Sequence, residues 1–272
     1  MVSAIDSPLP DPGFSINATR AQEWQPGDRD GLGETPHGEV FASARDGSGT
    51  ALALALAQDR LRTAAPDPLA DTPDQRMWLW VQDREALRRS GRPYRPGLPR
   101  ALRHRLIHVA ADTAEDALFA LEEGLRCREL AFVIGEIAGN PKALSFIASR
   151  RLTLTAERHG VPLWLVRLDA ARELSSARMR WQANAAPSPP PRWNRHAPGV
   201  PSWRAELFRA RSHPPGEWLL REEEGVLLRL PASNGRGQNE ATLAAGAHRH
   251  LEGRVASLAR FAMPAQAVAG AG

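Results

Sequence analysis

The chain of 272 residues holds one cysteine, Cys127, one lysine, Lys142, and one tyrosine, Tyr94. A single cysteine excludes an internal disulfide. Its place among Leu125, Arg126 and Leu130, in a helical stretch, reads as a small buried hydrophobe. Any site that depends on a lysine has one candidate. Arginine supplies the remaining positive charge, with 35 basic against 31 acidic side chains and a formal +4. That excess is too small to argue by itself for a nucleic-acid surface. No apolar run approaches the ~20 residues needed to span a bilayer. The opening MVSAIDSPLPDPG lacks the basic start and apolar run of a signal peptide, so a soluble, cytoplasmic protein is expected.

What is present is an alternation of strand and helix patterns. Short apolar runs stand at GEVFAS (Gly38 to Ser43), MWLWVQ (Met77 to Gln82), RLIHVA (Arg105 to Ala110), LAFVIG (Leu130 to Gly135), PLWLVR (Pro162 to Arg167) and ARMRWQA (Ala177 to Ala183). Nearly all-apolar runs suit strands buried on both faces. Helices are expected from Thr50 to Leu61 and after Thr113, where Asp116 has capping-box spacing and Ala117, Leu118, Leu121 and Leu125 share a face. A third is expected from Asn140 and Pro141 to His159, with Gly160 as its left-handed stop. After a proline-rich connection, SWRAELFRAR and GEWLLRE read as a hairpin. The expected fold is α/β, a largely parallel sheet flanked by helices with an antiparallel C-terminal hairpin at its edge. Residues 1–36 read as a mostly disordered arm, 37–230 as the α/β domain and 231–272 as a flexible tail. In that tail Leu243, Ala247, Leu251, Val255 and Leu258 share helical spacing, which makes Leu251, Val255 and Leu258 candidate partner-binding residues.

The first strand-to-helix turn is where such folds bind phosphate. Here it reads FASARDGSGTALALALA. A working loop has the pattern GxxxxGK[ST]: glycines let backbone N–H groups close on phosphate, the lysine reaches the terminal phosphates and the hydroxyl holds magnesium. With Thr50 in the hydroxyl position, Gly49 stands in the lysine position, Ser48 in that of the second glycine and Ser43 in that of the first. Gly47, Ser48, Gly49 and Thr50 are thus a candidate phosphate loop without its cation. Arg45 reads as an exposed turn residue. Lys142 is a poor substitute, because Pro141 removes an N–H where a phosphate nest needs donors.

The remaining parts of an ATPase look displaced. LAFVIG ends in Gly135 with Glu136 one place later, a shift that turns the side chain to the opposite face of the strand. Asp83, Arg84 and Glu85 read as solvated loop charges. His104 and His108 lie in a probable strand, where four-residue spacing does not converge the rings on a metal, and His248 and His250 have no cysteine partner. No serine sits in GxSxG. No catalytic residue, cofactor or metal is expected. The arginines at Arg100, Arg103 and Arg105, and at Arg150 and Arg151, are candidates for DNA contact, though such clusters are commonly solvated faces.

The order of elements resembles the RecA core. The loop GSGT, the run LAFVIGEIAG, the segment SFIASRRLTLTAERHGVPLWLVRLDAARELSSARMRWQ and the later PSWRAELFRARSHPPGEWLL resemble the ImuA family of RecA-related bacterial proteins. The resemblance covers about Gly38 to Arg221. It implies a non-catalytic accessory role in SOS-induced translesion DNA synthesis and mutagenesis. The implied partners are an ImuB-like Y-family protein and an error-prone DnaE-type polymerase, with RecA as a further candidate and weak or indirect DNA contact. Some relatives carry a SulA-like label, which would imply cell-division control. In RecA a long loop before the last parallel strand contacts single-stranded DNA; here only LDAARELSS separates PLWLVR from ARMRWQA. Two other readings compete with the accessory role: a weak ATP-binding switch using Thr50, Glu136 and Asp83 or Glu85, and a DNA-binding repair protein.

Overall fold

The computed structural model describes Pro26 and residues 36–63, 74–191, 193–223 and 225–230, all within the first of two units into which the chain divides, Met1–Leu230 and Pro231–Gly272. Apart from Pro26 and Pro36, the proposed arm lies outside the described residues, as do the tail residues Leu251, Val255 and Leu258.

Nine strands form one sheet: β1 (His37–Ala42), β2 (Met77–Gln82), β3 (Leu106–Ala110), β4 (Leu130–Ala138), β5 (Leu163–Leu168), β6 (Met179–Ala186), β7 (Ser202–Ala210), β8 (Gly216–Glu223) and β9 (Val226–Leu230). Their order is β3-β2-β4-β5-β1-β6-β7-β8-β9. The six strands from β3 to β6 in that order pair in parallel, and β6 through β9 pair antiparallel. The fold is therefore α/β with a mostly parallel sheet, flanking helices and an antiparallel edge, as expected. The edge is one strand longer than the expected hairpin, because VLLRL adds β9.

Helix α1 (Ser48–Thr63) covers one face. Its Leu52, Ala53 and Leu56 pack with Val40, Trp80, Phe132, Trp181 and Leu207. On the opposite face lie α3 (Ala114–Arg126) and α4 (Phe146–His159), whose Leu121, Leu125 and Leu152 pack with Val133, Ile137 and Leu165. The caps explain the helix limits. The Thr113 hydroxyl accepts from Asp116 N–H at 3.0 Å, and Gly160 ends α4 at φ 70°. Helix α4 starts at Phe146 rather than at Asn140, because the Ser145 hydroxyl caps it by accepting from Ala148 N–H. Asn140 instead clamps the loop after β5, accepting from Ala171 N–H at 2.7 Å and donating to Ala171 O at 3.1 Å. A short α2 (Arg84–Ser90) follows β2; its cap is Asp83, which is buried and accepts from Ala86 N–H at 2.7 Å. Asp83 is thus structural rather than a solvated loop charge. Cys127 is exposed at the end of α3, not buried, since the helix stops one residue before it. Among the described residues, no helix is long and apolar enough to cross a membrane.

Candidate functional site

Parallel strands place the turns after β1, β2, β4 and β5 at one edge of the sheet, the edge where open α/β sheets bind ligands. Glu136 lies there. Side chains alternate along β4, so Phe132, Ile134 and Ala138 face α1 while Val133 and Ile137 face α3 and α4. Glu136 shares the α1 face. Position 135 faces the other way: a side chain at Gly135 would meet Leu121 and Leu165 at 2.9 Å. The one-residue offset read from the sequence as a displacement therefore aims the acid toward the loop.

Thr50 and Glu136 meet directly, the Thr50 hydroxyl donating to Glu136 Oε1. Gln82, beside Glu136 in register on β2, donates from Nε2 to Glu136 Oε2 at 2.5 Å. Ser90 Oγ lies 3.1 Å from the same oxygen, and His108 Nε2 lies 2.8 Å from Gln82 Oε1. Glu136 is 1% exposed and has no cation among these partners. Burial pushes its carboxyl above the ordinary range, against the pull of its three side-chain donors. Asp83 is also pushed up by burial.

The loop itself is closed from within. Asp169, after β5, accepts from Ala44 N–H at 3.1 Å and receives Arg89 Nη1 at 2.9 Å. The Ala44 N–H is the first cause that holds the Asp169 carboxyl below its ordinary range, so it is ionised at neutral pH. Asp46 accepts from Ser48 N–H at 2.9 Å, and Ser43 Oγ accepts from Arg45 N–H at 3.1 Å. Two carboxylates thus occupy amides that a phosphate would need. Gly49, in the lysine position, packs against the sheet: a Cβ there would lie 2.6 Å from Ala42 Cβ and 3.1 Å from Val166 Cγ1. Gly47 is exposed with open space around its Cα, and Ser48 is buried with its hydroxyl unpaired among the described residues.

The other sequence candidates disperse. Lys142 and Arg45 are exposed. Glu85 is held by Arg88 and Arg89 on the surface of α2. Arg103 and Arg105 donate to backbone carbonyls of Leu98 and Ala101, and Arg151 pairs with Glu122. Trp203 is buried, Trp218 lies 5.9 Å from Trp181, and Phe208 packs 5.7 Å from Phe41, so the hairpin aromatics belong to the packing. Among the described residues, no three His, Cys, Asp or Glu side chains could together hold a metal ion.

Sequence reasoning missed a second polar cluster, between β1, β5, β6 and α4. Glu39 is fully buried and accepts from Arg180 Nε at 2.7 Å and Ser175 Oγ at 2.7 Å, with Arg167 Nη1 at 3.9 Å. Ser149, Ser176, Thr153 and His37 continue the network, ending in His37 Nδ1 at 2.8 Å from Thr153 Oγ1. Its signal in the sequence was the polar residues set in apolar strands: His37 and Glu39 in β1, Arg167 in β5 and Arg180 in β6.

No family model matches the chain. Protein ImuA of Caulobacter vibrioides strain NA1000 / CB15N is 34% identical over 138 residues, 47% of this chain and 53% of that protein. Protein ImuA of strain ATCC 19089 / CIP 103742 / CB 15 gives the same values. The chain spans about half the length of the curated relatives it matches, and the similarity over that half supports a relationship to the ImuA family.

Proposed function

We propose that this protein is a non-catalytic accessory factor of SOS-induced translesion DNA synthesis and mutagenesis. It acts through contacts with an ImuB-like Y-family protein and an error-prone DnaE-type polymerase. The similarity to ImuA supports the mutagenesis role. One observation carries the non-catalytic part: the lysine position is filled by Gly49 packed on Ala42 and Val166, beneath a loop whose amides are held by Asp46 and Asp169. Phosphoryl transfer is stabilised almost wholly by placed positive charge. Here the charged groups bonded to the loop's amides are the carboxylates of Asp46 and Asp169. A fold that keeps its shape without such groups acts through its surface.

The Thr50–Glu136 contact favours a second reading, an ATP-responsive switch, since hydroxyl and acid remain in reach of one another. Phosphate release by the purified chain, with and without single-stranded DNA, separates the two. The accessory reading expects no turnover. It also expects Thr50→Ala to restore damage-induced mutation frequency in a deletion strain as well as the wild type does. DNA-stimulated turnover lost in Thr50→Ala would replace it with the switch. Co-purification of an ImuB-like protein with the full chain, and with a chain ending at Leu230, tests whether the segment holding Leu251, Val255 and Leu258 carries the contact.

A further inference from the structure

From Ala86 to Ala111 the chain has seven arginines and no aspartate or glutamate. The formal +4 of the whole chain hides this, because the rest of it is net negative. Some of these arginines are matched from outside the stretch. Arg88 and Arg89 share Glu85, and Arg89 also reaches Asp169. Arg105 is turned to the carbonyl oxygens of Asp74 and Ala101. Among the described residues, no carboxylate pairs with Arg92, Arg95, Arg100 or Arg103.

Two of these unmatched arginines, with a tyrosine between them, lie along the outer strand of the sheet. Strand β3 pairs with β2 alone, and its Arg105 O accepts from Trp78 N–H. Successive carbonyls of a strand point to opposite sides, so Leu106 O faces the open side. There it accepts from Arg95 Nη2 at 3.2 Å. Burial, and then the nearby Arg92 and Arg95 guanidinium groups, lower the His108 imidazole, which puts both cations beside β3. Gly91 O accepts from Gln82 Nε2 at 3.0 Å and ties down the start of the segment. Tyr94 is 74% exposed. It precedes a single 3-10 turn, Arg95–Gly97, and the prolines on either side of it, Pro93 and Pro96, fix φ. Its ring rests on Gly97, where a Cβ would meet Tyr94 Cδ1 at 3.0 Å. The leucines of this stretch, Leu98 and Leu102, are buried.

We propose that this edge is a binding surface for single-stranded nucleic acid, with Arg92 and Arg95 on its phosphates and a base stacked on Tyr94. Cations that no acid offsets match a phosphate backbone. An exposed ring held in place offers any base a π-face. A duplex shows the same phosphates but keeps its bases stacked inside, which leaves Tyr94 unused. An acidic peptide would also meet the guanidinium groups. With Leu98 and Leu102 buried, however, it finds no apolar pocket to seat an anchor side chain. One stacking platform and few phosphate contacts make the binding weak and salt-sensitive. The surface lies on the outer strand, away from β1 and its degenerate phosphate loop. It does not depend on the mutagenesis reading, which stands or falls separately.

The test uses the full chain labelled with 3-fluorotyrosine, which gives one ¹⁹F signal because Tyr94 is the chain's one tyrosine. The probes are a 15-residue oligothymidylate, the corresponding duplex and an oligoglutamate of the same length. At about 50 mM salt the oligothymidylate is expected to shift the signal with a dissociation constant of about 10⁻⁵–10⁻⁴ M, weakening about 10- to 50-fold at about 200 mM. Variants are compared by the anisotropy of a fluorescein-labelled oligothymidylate. Arg92→Gln and Arg95→Gln should each weaken binding about 3-fold or more and flatten the salt slope by about 0.7. Tyr94→Leu should weaken it on the order of 10-fold and leave the slope unchanged. Arg209→Gln, at an exposed position on β7, should change neither. Circular dichroism reports the fold of each variant. If Arg95→Gln unfolds, Arg92→Gln and Tyr94→Leu decide. A Tyr94 signal unmoved at millimolar oligothymidylate, a wild-type salt slope in Arg92→Gln, or wild-type affinity in Tyr94→Leu would each overturn the proposal. So would a larger shift at lower concentration with the duplex or the oligoglutamate.

Discussion

Glu136 and Glu39 are the same residue type, each on a parallel strand and each buried, yet their surroundings are opposite. Glu39 has two guanidinium groups beside it, Arg180 at 2.7 Å and Arg167 at 3.9 Å. Glu136 has only neutral donors, from Thr50, Gln82 and Ser90, with burial pushing its carboxyl upward. A buried carboxylate without a cation tends to neutralise itself by taking a proton. The first acid is paired with guanidinium groups inside a structural network. The second is an acid whose carboxyl burial pushes upward and which no cation offsets, in the place where an ATPase would hold metal. Where a working phosphate loop would bring lysine and magnesium near such an acid, the fold here supplies hydrogen bonds. That contrast separates a retained architecture from a retained chemistry.

The largest expected effect is at Glu39. Glu39→Gln keeps the size and an acceptor for Ser175 but leaves Arg180 and Arg167 buried without this counter-charge. Breaking a buried ion pair from one side costs about 3–5 kcal/mol. Urea unfolding should show a loss of that order, and a cost below about 1 kcal/mol would mean that the pair is solvated and the comparison fails.

His37 gives the next effect, through pH. Burial, above all, lowers its imidazole to about 4. In the unfolded chain an ordinary histidine takes a proton near 6.5, so the stability it contributes is fully present above that value. It is lost as pH falls from about 6.5 toward 4, since only the unfolded chain then binds the proton. The interval corresponds to about 3 kcal/mol. Between pH 7.5 and 4.5 the wild type should therefore lose ~2–3 kcal/mol more stability than His37→Gln, read from urea midpoints at both pH values.

Much of this architecture was legible in the chain. Apolar runs at the strands, the Thr113 cap and the Gly160 stop all carry local signals that packing did not override. Sheet order was not legible, because β4 and β5 enter between β2 and β1 through contacts between distant segments. Two local signals competed at α4: Asn140-Pro141 has the composition of a helix start, but Ser145 made the cap while Asn140 bonded across to Ala171. Asp83 followed by Glu85, Ala86 and Leu87 carried the start of α2, a cap pattern hidden by reading the cluster as charge alone. At the site, the degenerate loop was visible as missing residues. Its closure by Asp169 was not, since 125 positions separate Asp169 from Ala44. Glu136 was misplaced by ending β4 at Gly135: the strand runs on to Ala138, and counting its two-residue period from Phe132 puts the acid on the α1 face.

The smallest expected effect is at Glu136, and it tests the comparison most sharply. Because the folded chain raises this carboxyl, its contribution is fully present below the ordinary glutamate value. It fades as pH rises through the folded value, where the buried acid must ionise. Glu136→Gln removes that titration. The substituted amide can still be satisfied: its N–H₂ can face the Thr50 hydroxyl, which also accepts, while its oxygen receives Gln82 Nε2. Ser90 Oγ lies 2.8 Å from Ala86 O and can donate there instead. The variant should therefore match the wild type near pH 5 and equal or exceed it by about 1 kcal/mol near pH 8, the reverse of the Glu39 result. Paired urea titrations at the two pH values read the difference directly. A loss of about 3 kcal/mol at pH 8 would mean that Glu136 is ionised and matched by positive charge. The two acids would then be alike, and the edge of the sheet would again be a place to look for a bound cation.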